Sequence, residues 1–272
     1  MPSKMIPLAD CPREILAGVR GVLTDIDETL STRGRLTAEA YAALERLQGA
    51  GLCVVPVTGR PAGWCDHIAR FWPVDAVVGE NGAFWMWHDG EAGKLRTRFV
   101  QGDAERAEGR QRLARVRAQV RRDVPGAGIA SDQPYRAADL AIDFCEDVPA
   151  LAHGDVLRIV KIFEAHGAQA KVSSIHVNGW FGDYDKLTTS RLMMAELFGV
   201  DLAVDGAAYV FAGDSPNDAP MFGFFANAVG VANVRDFAAD MEHLPRWVTR
   251  ARSGAGFVEL ADALIAARQY QR

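Results

Sequence analysis

Apolar runs alternate with amphipathic stretches over the first 83 residues, which is typical of β-α-β units. The apolar run at residues 21–27 ends in carboxylates, and a second run at residues 52–58 also ends in polar residues. Between them, apolar positions recur at helical spacing from residue 40 to residue 47. A helix near residues 64–71 and a third apolar run at residues 76–83 follow. Continuous apolar strands are those of a buried parallel sheet, so we predict a doubly wound α/β fold.

The pattern changes after residue 84. Two aromatic-rich runs in residues 84–100 flank Asp89-Gly90, which predicts a hairpin. Helices near residues 103–122 and 150–166, with strands near 140–144, 169–173 and 175–180, then predict a unit of α+β type. The β-α pattern returns with a helix at 186–198, a strand at 207–214, a helix from 217 and a strand at 227–233. We therefore predict a discontinuous catalytic core, residues 1–84 and 184–272, with an inserted α+β cap domain at residues 85–183.

Composition excludes several kinds of partner. The 272 residues are 49% apolar and 24% charged, which is typical of a folded globular protein. A net charge of -5 gives no general attraction to nucleic acid or anionic membrane, and we interpret the arginine-rich stretch at 106–122 as the solvated face of a helix. No apolar stretch is long enough for a signal peptide or a membrane span, so we expect a cytoplasmic protein with a small-molecule partner. The sequence does not indicate the oligomeric state.

Carboxylates follow two of the predicted strands. Asp25 and Asp27 stand two residues apart where the first strand ends, at the rim where open α/β sheets bind ligands. Asp214 ends a later strand and precedes a turn with Asn217 and Asp218. Oxygen ligands in this number, with no histidine or cysteine beside them, suit Mg²⁺ better than zinc. Either motif alone is also explained by an ordinary turn or helix cap.

Two further features suit phosphate. Thr58, Gly59 and Arg60 follow the second strand, where a hydroxyl and the backbone N–H groups of a helix start can hold an anion. Lys186 begins the helix after the insertion and could supply a compact positive charge. Each is weak by itself, because turns and exposed lysines are common.

Together these motifs resemble those of a known family. DIDET, VTGR, a lysine after the insertion and GDSPND, in this order at strand ends, look like the four motifs of haloacid dehalogenase-type phosphatases. The position of the insertion, with ENGA before it, is similar to the Cof-type, C2-capped branch, which includes sucrose-phosphate and mannosyl-phosphoglycerate phosphatases. The resemblance covers nearly the whole chain and implies a haloacid dehalogenase-like Rossmannoid core.

The resemblance implies a mechanism. Asp25 would attack the substrate phosphorus and become a phosphoryl-aspartate, while Asp27 would act as acid and base. Mg²⁺ would be held by the carboxylates of Asp25 and Asp214 and by the backbone carbonyl of Asp27, with Asp218 ordering bound water. The expected phosphate-binding residues are Thr58, Gly59, Lys186 and Asn217.

The inserted cap would close over the site and choose the leaving group. Its candidate contacts are polar: Arg60, His176, Asn178 and Asp183. We favour hydrolysis of a small phosphomonoester, with a sugar phosphate as the first candidate. A phosphomutase with the same chemistry is one alternative, and a non-catalytic sugar-phosphate binding protein is another. The second alternative is expected to lack one of Asp25, Asp27, Lys186 or Asp214, all of which are present.

Overall fold

The computed structural model describes residues 5–173 and 175–269, which form three sheets and their covering helices. The strands are β1 (Ile6–Pro7), β2 (Gly21–Thr24), β3 (Cys53–Pro56), β4 (Val77–Gly79), β5 (Phe84–Asp89), β6 (Lys94–Phe99), β7 (Gly128–Ile129), β8 (Leu140–Asp143), β9 (Gln169–Val172), β10 (His176–Trp180), β11 (Tyr209–Gly213), β12 (Val229–Gly230) and β13 (Trp247–Val248). The α-helices are α1 (Arg13–Ala17), α2 (Ala38–Gly49), α3 (Ala62–Phe71), α4 (Asp103–Asp123), α5 (His153–Ala165), α6 (Lys186–Phe198), α7 (Leu202–Asp205), α8 (Ala219–Phe224) and α9 (Ser253–Gln269).

The largest sheet has six parallel strands in the order β1-β13-β12-β11-β2-β3. Consecutive residues of its central strands enter different hydrophobic clusters. Val22 and Val210 pack with residues of α2 and α9, whereas Leu23 and Phe211 pack with residues of α6 and α8. Helices therefore bury both faces, which is why these strands are continuously apolar. The predicted doubly wound α/β core is confirmed.

A second sheet, β4-β5-β6, continues beside β3. The sequence predicted a hairpin at residues 84–100, and β5 and β6 form it, with Phe84 opposite Phe99. The prediction that β4 is a further strand of the parallel sheet is wrong in part: β4 has one parallel bridge, Val57 to Val78, and otherwise pairs antiparallel with β5. The chain reverses directly after β4, because residues 80–82 all have positive φ (44°, 55° and 108°).

The third sheet is antiparallel, in the order β7-β8-β10-β9, and α4 and α5 pack on it. Helix α4 buries Leu113, Val116 and Val120 and exposes most of its arginines, as the interpretation of a solvated helix face predicted. Phe163 of α5 covers Gly179 of β10, where a Cβ would lie 2.1 Å from the ring. This sheet and its helices are the α+β unit predicted for the insertion; the boundaries of the core and cap domains stay a prediction.

Helix length and polarity bear on the predicted absence of a membrane span. The longest helix among the described residues, α4, has 21 residues and is rich in arginine. Within residues 5–173 and 175–269, no helix combines the length and the apolar character needed to cross a membrane.

Candidate active site

The carboxyl ends of β2, β3 and β11 meet at one edge of the parallel sheet. Thr24 pairs with Ala212, and the Asp25 N–H donates to the Ala212 carbonyl oxygen at 2.8 Å. Asp214 lies two residues beyond Ala212, and Thr58 follows the end of the neighbouring strand β3. The parallel register therefore brings residues distant in sequence to the same edge.

Three carboxylates cluster there around one ammonium group. Asp25, Asp214 and Asp218 are all buried, and one oxygen of each lies within 4.8 Å of the others. Lys186 Nζ donates to Asp25 Oδ1 at 2.7 Å and to Asp218 Oδ1 at 2.8 Å. Lys186 is the first residue of α6, and the side chain of Asp185 caps that helix. The helix start thus fixes the point from which the lysine reaches the cluster.

The cluster holds three carboxyl groups and one ammonium group, and these groups shift one another's pKa values. Burial, opposed by Lys186, raises the pKa of Asp25 to about 7, with Asp218 and Asp27 adding to the rise. Burial also raises the pKa of Asp214, and Asp25 adds to that rise. Burial opposes ionisation of Lys186, but Asp218 and Asp25 together raise its pKa. Among the described residues, the cluster thus joins three carboxylates, two of which contact the ammonium group of Lys186. Hard carboxylate oxygen donors in this number fit a divalent cation such as Mg²⁺.

Asp214 is held by polar side chains that the sequence did not single out. Thr29 Oγ1 donates to Asp214 Oδ1 at 3.2 Å, and Asn233 Nδ2 donates to Asp214 Oδ2 at 2.8 Å. Asn233 also donates to the Glu28 carbonyl oxygen at 3.0 Å and accepts from the Ser253 N–H at 2.9 Å. Asn233 is the last residue of the predicted strand 227–233, and its position at a strand end is the signal that could have identified it.

Asp27 lies outside this cluster and pairs with Arg60. Arg60 Nε donates to both carboxylate oxygens of Asp27, at 2.9 and 3.0 Å. The same guanidinium group lies 3.2 Å from Glu146 and 3.7 Å from Asp132, and its central carbon is 4.4 Å from the centre of the Trp64 ring. Arg60 is 4% exposed. A buried arginine therefore engages the residue predicted to act as acid and base.

A cavity of about 10 Å³, which we call the phosphoryl cavity, lies between these residues and the third sheet. This volume has room for about one water molecule. The insertion thus closes over the carboxylates. The lining residues are Asp25, Asp27, Gly59, Arg60, Arg136, Ser173, Ile175, His176, Asn178, Ser215 and Asn217.

The insertion presents a polar group of its own to this cavity. His176 Nε2 lies 2.9 Å from Glu146 Oε2. His176, and after it Arg60, lowers the pKa of Glu146 to about 2, although burial opposes the shift. Asn178 Nδ2 donates to Asp139 Oδ2 at 3.0 Å. Glu146 was not predicted, because one glutamate in a loop carries no motif.

The structure brings most of the predicted site residues together. Asp25, Asp27, Gly59, Arg60, His176, Asn178 and Asn217 line the phosphoryl cavity, and Lys186, Asp214 and Asp218 lie in the carboxylate cluster. Thr58 is buried and does not line it; its hydroxyl oxygen accepts from the Arg60 N–H at 3.0 Å and so shapes the turn. Asp183 is exposed and lies outside the lining.

A family model described as haloacid dehalogenase-like hydrolase matches residues 22–97, which include Asp25, Asp27 and the turn at 58–60. The predicted resemblance to this family is confirmed. A search of curated proteins found no match to the chain.

Solved structures match the fold over most of the chain, well beyond residues 22–97. The C-terminal domain of trehalose-6-phosphate phosphatase from C. albicans is 12% identical, with a TM-score of 0.70 over 97% of this chain and 99% of that one. A Thermoplasma acidophilum protein is 19% identical, with a TM-score of 0.67 over 90% and 98%. The sucrose-phosphatase of Synechocystis, in complex with sucrose and phosphate, is 14% identical, with a TM-score of 0.62 over 90% and 98%.

Glu80 joins the two parts of the chain that enclose the phosphoryl cavity. Glu80 is fully buried, and its Oε1 accepts from the N–H groups of Ala62 at 2.9 Å and Ala137 at 2.8 Å. Its Oε2 accepts from the N–H groups of Ala138 at 2.6 Å and Asp139 at 3.0 Å. One carboxylate thus accepts hydrogen bonds from backbone N–H groups at the start of α3 and in a segment of the insertion. The ENGA motif contains Glu80, but it was used only for the family resemblance.

Arg136 makes the adjoining contact. It donates to the Gly59 carbonyl oxygen at 2.9 Å and to both carboxylate oxygens of Asp139 at 3.0 Å. Burial and, after it, repulsion from Asp139 raise the pKa of Glu80 to about 7. The backbone N–H groups and Arg136 act in the opposite direction. A buried polar network therefore ties the insertion to the turn at residues 58–60.

We expect Glu80→Gln to lower the free energy of unfolding by about 1–3 kcal/mol, because the amide places an NH₂ group against two N–H donors. A carboxyl group whose pKa is raised in the folded state contributes less stability as pH rises from about 4.5 to about 7. The difference between parent and variant should therefore be larger at pH 5 than at pH 8, measured by urea unfolding without metal. The exposed Glu45→Gln is the control and should change stability by less than about 0.5 kcal/mol. Equal effects of the two substitutions at both pH values would contradict this role of Glu80.

Proposed function

We propose that this chain is a Mg²⁺-dependent phosphatase that hydrolyses a small phosphomonoester through a phosphoryl-aspartate on Asp25. The observation that carries the proposal is the contact of Lys186 with Asp25 and Asp218 in a buried carboxylate cluster at the carboxyl edge of the sheet. The hydrolase family model and the neighbours named as phosphatases support a phosphatase. Sugar phosphates are the first substrates to test, because two neighbours are named for them.

Asp25 and Asp214 would hold Mg²⁺, with the backbone carbonyl of Asp27 as the further ligand that the family resemblance implies. Mg²⁺ supplies positive charge that offsets the repulsion between a carboxylate and a phosphate dianion. Asp218 would order water bound to the metal, as the resemblance also implies. Its Oδ1 accepts from Lys186 and its Oδ2 from the Asp214 N–H at 3.0 Å, so it orients the lysine and the turn.

Lys186 selects the attacking oxygen. It holds Asp25 Oδ1, so we assign the attack on phosphorus to Asp25 Oδ2. The bond between phosphorus and the ester oxygen breaks, and Asp27 gives that oxygen a proton. In the second step Asp27 takes a proton from water, whose oxygen attacks phosphorus, and inorganic phosphate leaves with Asp25 restored. Lys186, Gly59 and Asn217 would bind the phosphoryl oxygens. Thr58 would hold the turn at residues 58–60 in place.

The contact between Arg60 and Asp27 must change during this cycle. Both oxygens of Asp27 accept from Arg60 in the closed structure, so neither is free to contact a leaving oxygen. Proton donation to the leaving oxygen requires Asp27 to leave that contact. We assign Arg60 to the substrate, with His176 and Asn178 as the facing contacts from the insertion. Since the phosphoryl cavity holds about one water, the insertion must open to admit any phosphomonoester.

We expect Asp25→Asn to lower turnover by about 10³-fold or more, because the amide cannot attack and provides a weaker metal ligand. The measurement is phosphate release from sugar phosphates and p-nitrophenyl phosphate with Mg²⁺, without a sugar bisphosphate activator. EDTA should abolish the parent activity and excess Mg²⁺ should restore it. The exposed Asp240→Asn serves as the control. Asp25→Asn activity within tenfold of the parent would refute the nucleophile assignment, and full parent activity in EDTA would remove the metal from the mechanism.

Asp27→Asn should separate the two half-reactions. p-Nitrophenolate leaves without protonation, whereas a sugar alkoxide is a much stronger base and needs the acid. With p-nitrophenyl phosphate, rapid-mixing kinetics should therefore show a burst of about one nitrophenolate per enzyme, followed by a stall before hydrolysis. Sugar phosphates should give no burst. Steady turnover of both substrate types near parent rates would show that Asp27 is not the acid and base.

A further inference from the structure

A second cavity of about 290 Å³, which we call the apolar cavity, borders Asp27. It lies between the loop that follows β2 and the helix α3. The side chains that give it its character are Ile26, Leu36, Trp64, Ile68 and Trp72. The residues of its wall other than Asp27 have no part in the phosphoryl chemistry described above.

Asp27 lines both the apolar cavity and the phosphoryl cavity. Arg60 lies at the same junction, since it pairs with Asp27 and its guanidinium carbon is 4.4 Å from the centre of the Trp64 ring. In the proposed reaction, Asp27 contacts the leaving oxygen. The carbon group attached to that oxygen therefore lies next to the apolar cavity.

The chemistry of the wall selects the kind of group it can take. Sugar hydroxyl groups would lose water there, and an apolar wall returns few hydrogen bonds. A flat ring instead gains by packing against the indole rings of Trp64 and Trp72. Trp64 is 41% exposed, although its ring is large and apolar. The cavity is therefore open to solvent beside Trp64, and a ligand ring can enter there. A volume near 300 Å³ is at the lower end for pockets that hold small organic ligands.

We propose that the apolar cavity binds the leaving group of the substrate and that this leaving group carries an aromatic ring. The proposal rests on the proposed phosphatase function. If the leaving group is aromatic, the substrates are aryl or arylalkyl phosphates in preference to sugar phosphates.

The test compares 2-naphthyl phosphate with glycerol 2-phosphate, both with Mg²⁺. Leu36→Trp fills the apolar cavity from a half-buried loop position, and the parent's kcat/KM for each substrate is the reference. We expect the loss for 2-naphthyl phosphate to exceed that for glycerol 2-phosphate by about tenfold or more, because a filled pocket excludes the ring. The control is Val204→Ala, which shortens a 79% exposed apolar side chain of α7 outside the cavity wall and should change both values by the same factor.

The binding of 2-naphthol, measured by calorimetry without metal, gives a readout independent of catalysis. The parent should bind it, and Leu36→Trp should weaken the Kd about tenfold or more. His67→Trp fills the same cavity from an exposed helix position and covers the case in which Leu36→Trp fails to fold. Equal losses for the two substrates, unchanged values in the filled variants, or no binding of 2-naphthol by the parent would overturn the proposal. If the parent hydrolyses neither these two substrates nor the sugar phosphates and p-nitrophenyl phosphate named above, the phosphatase function fails, while 2-naphthol binding still decides what the apolar cavity holds.

Discussion

The ammonium group of Lys186, shared between Asp25 and Asp218, is the contact on which the site depends. Three carboxylates are buried within 4.8 Å of one another, and desolvation works against the ionised form of each such group. Lys186 offsets part of that cost at 2.7 and 2.8 Å. Its own position is set by the start of α6, which packs against the turn after β4. Gly82 is required in that turn, because it has positive φ and a Cβ there would lie 2.2 Å from the Asp185 carbonyl oxygen.

The same turn links the cluster to the inserted unit. Glu80 accepts four backbone N–H groups, three of them from residues 137–139, and Arg136 reaches the Gly59 carbonyl oxygen. Arg60 follows directly and pairs with Asp27. A movement of the insertion would therefore disturb the turn that carries Arg60, and through it the contact that engages Asp27. In this account, cap opening, release of Asp27 and entry of substrate are parts of one rearrangement.

The order of apolar runs predicted the doubly wound sheet, and strand ends predicted Asp25, Asp27 and Asp214, because hydrophobic periodicity is a local property of the sequence. Lys186 was found at the start of its helix for the same reason. Glu146 and Arg136 could not be predicted, since each reaches the site through tertiary contacts and carries no motif. A glycine-rich turn was predicted after the third apolar run, but the antiparallel pairing of β4 with β5 was missed, because positive φ at Glu80 and Asn81 has no sequence signature as clear as glycine. Helix α9 was also missed, although it buries Phe257, Leu260 and Leu264 against the main sheet.

The central claim is that Asp25 is the residue that carries the phosphoryl group. Acid quenching during turnover with Mg²⁺, followed by borohydride reduction, converts an aspartyl phosphate to homoserine, which peptide mass spectrometry locates. The account predicts homoserine at position 25, formed only when substrate and Mg²⁺ are both present. Homoserine at another aspartate, or rapid turnover with position 25 unaltered at every quench time, would contradict it.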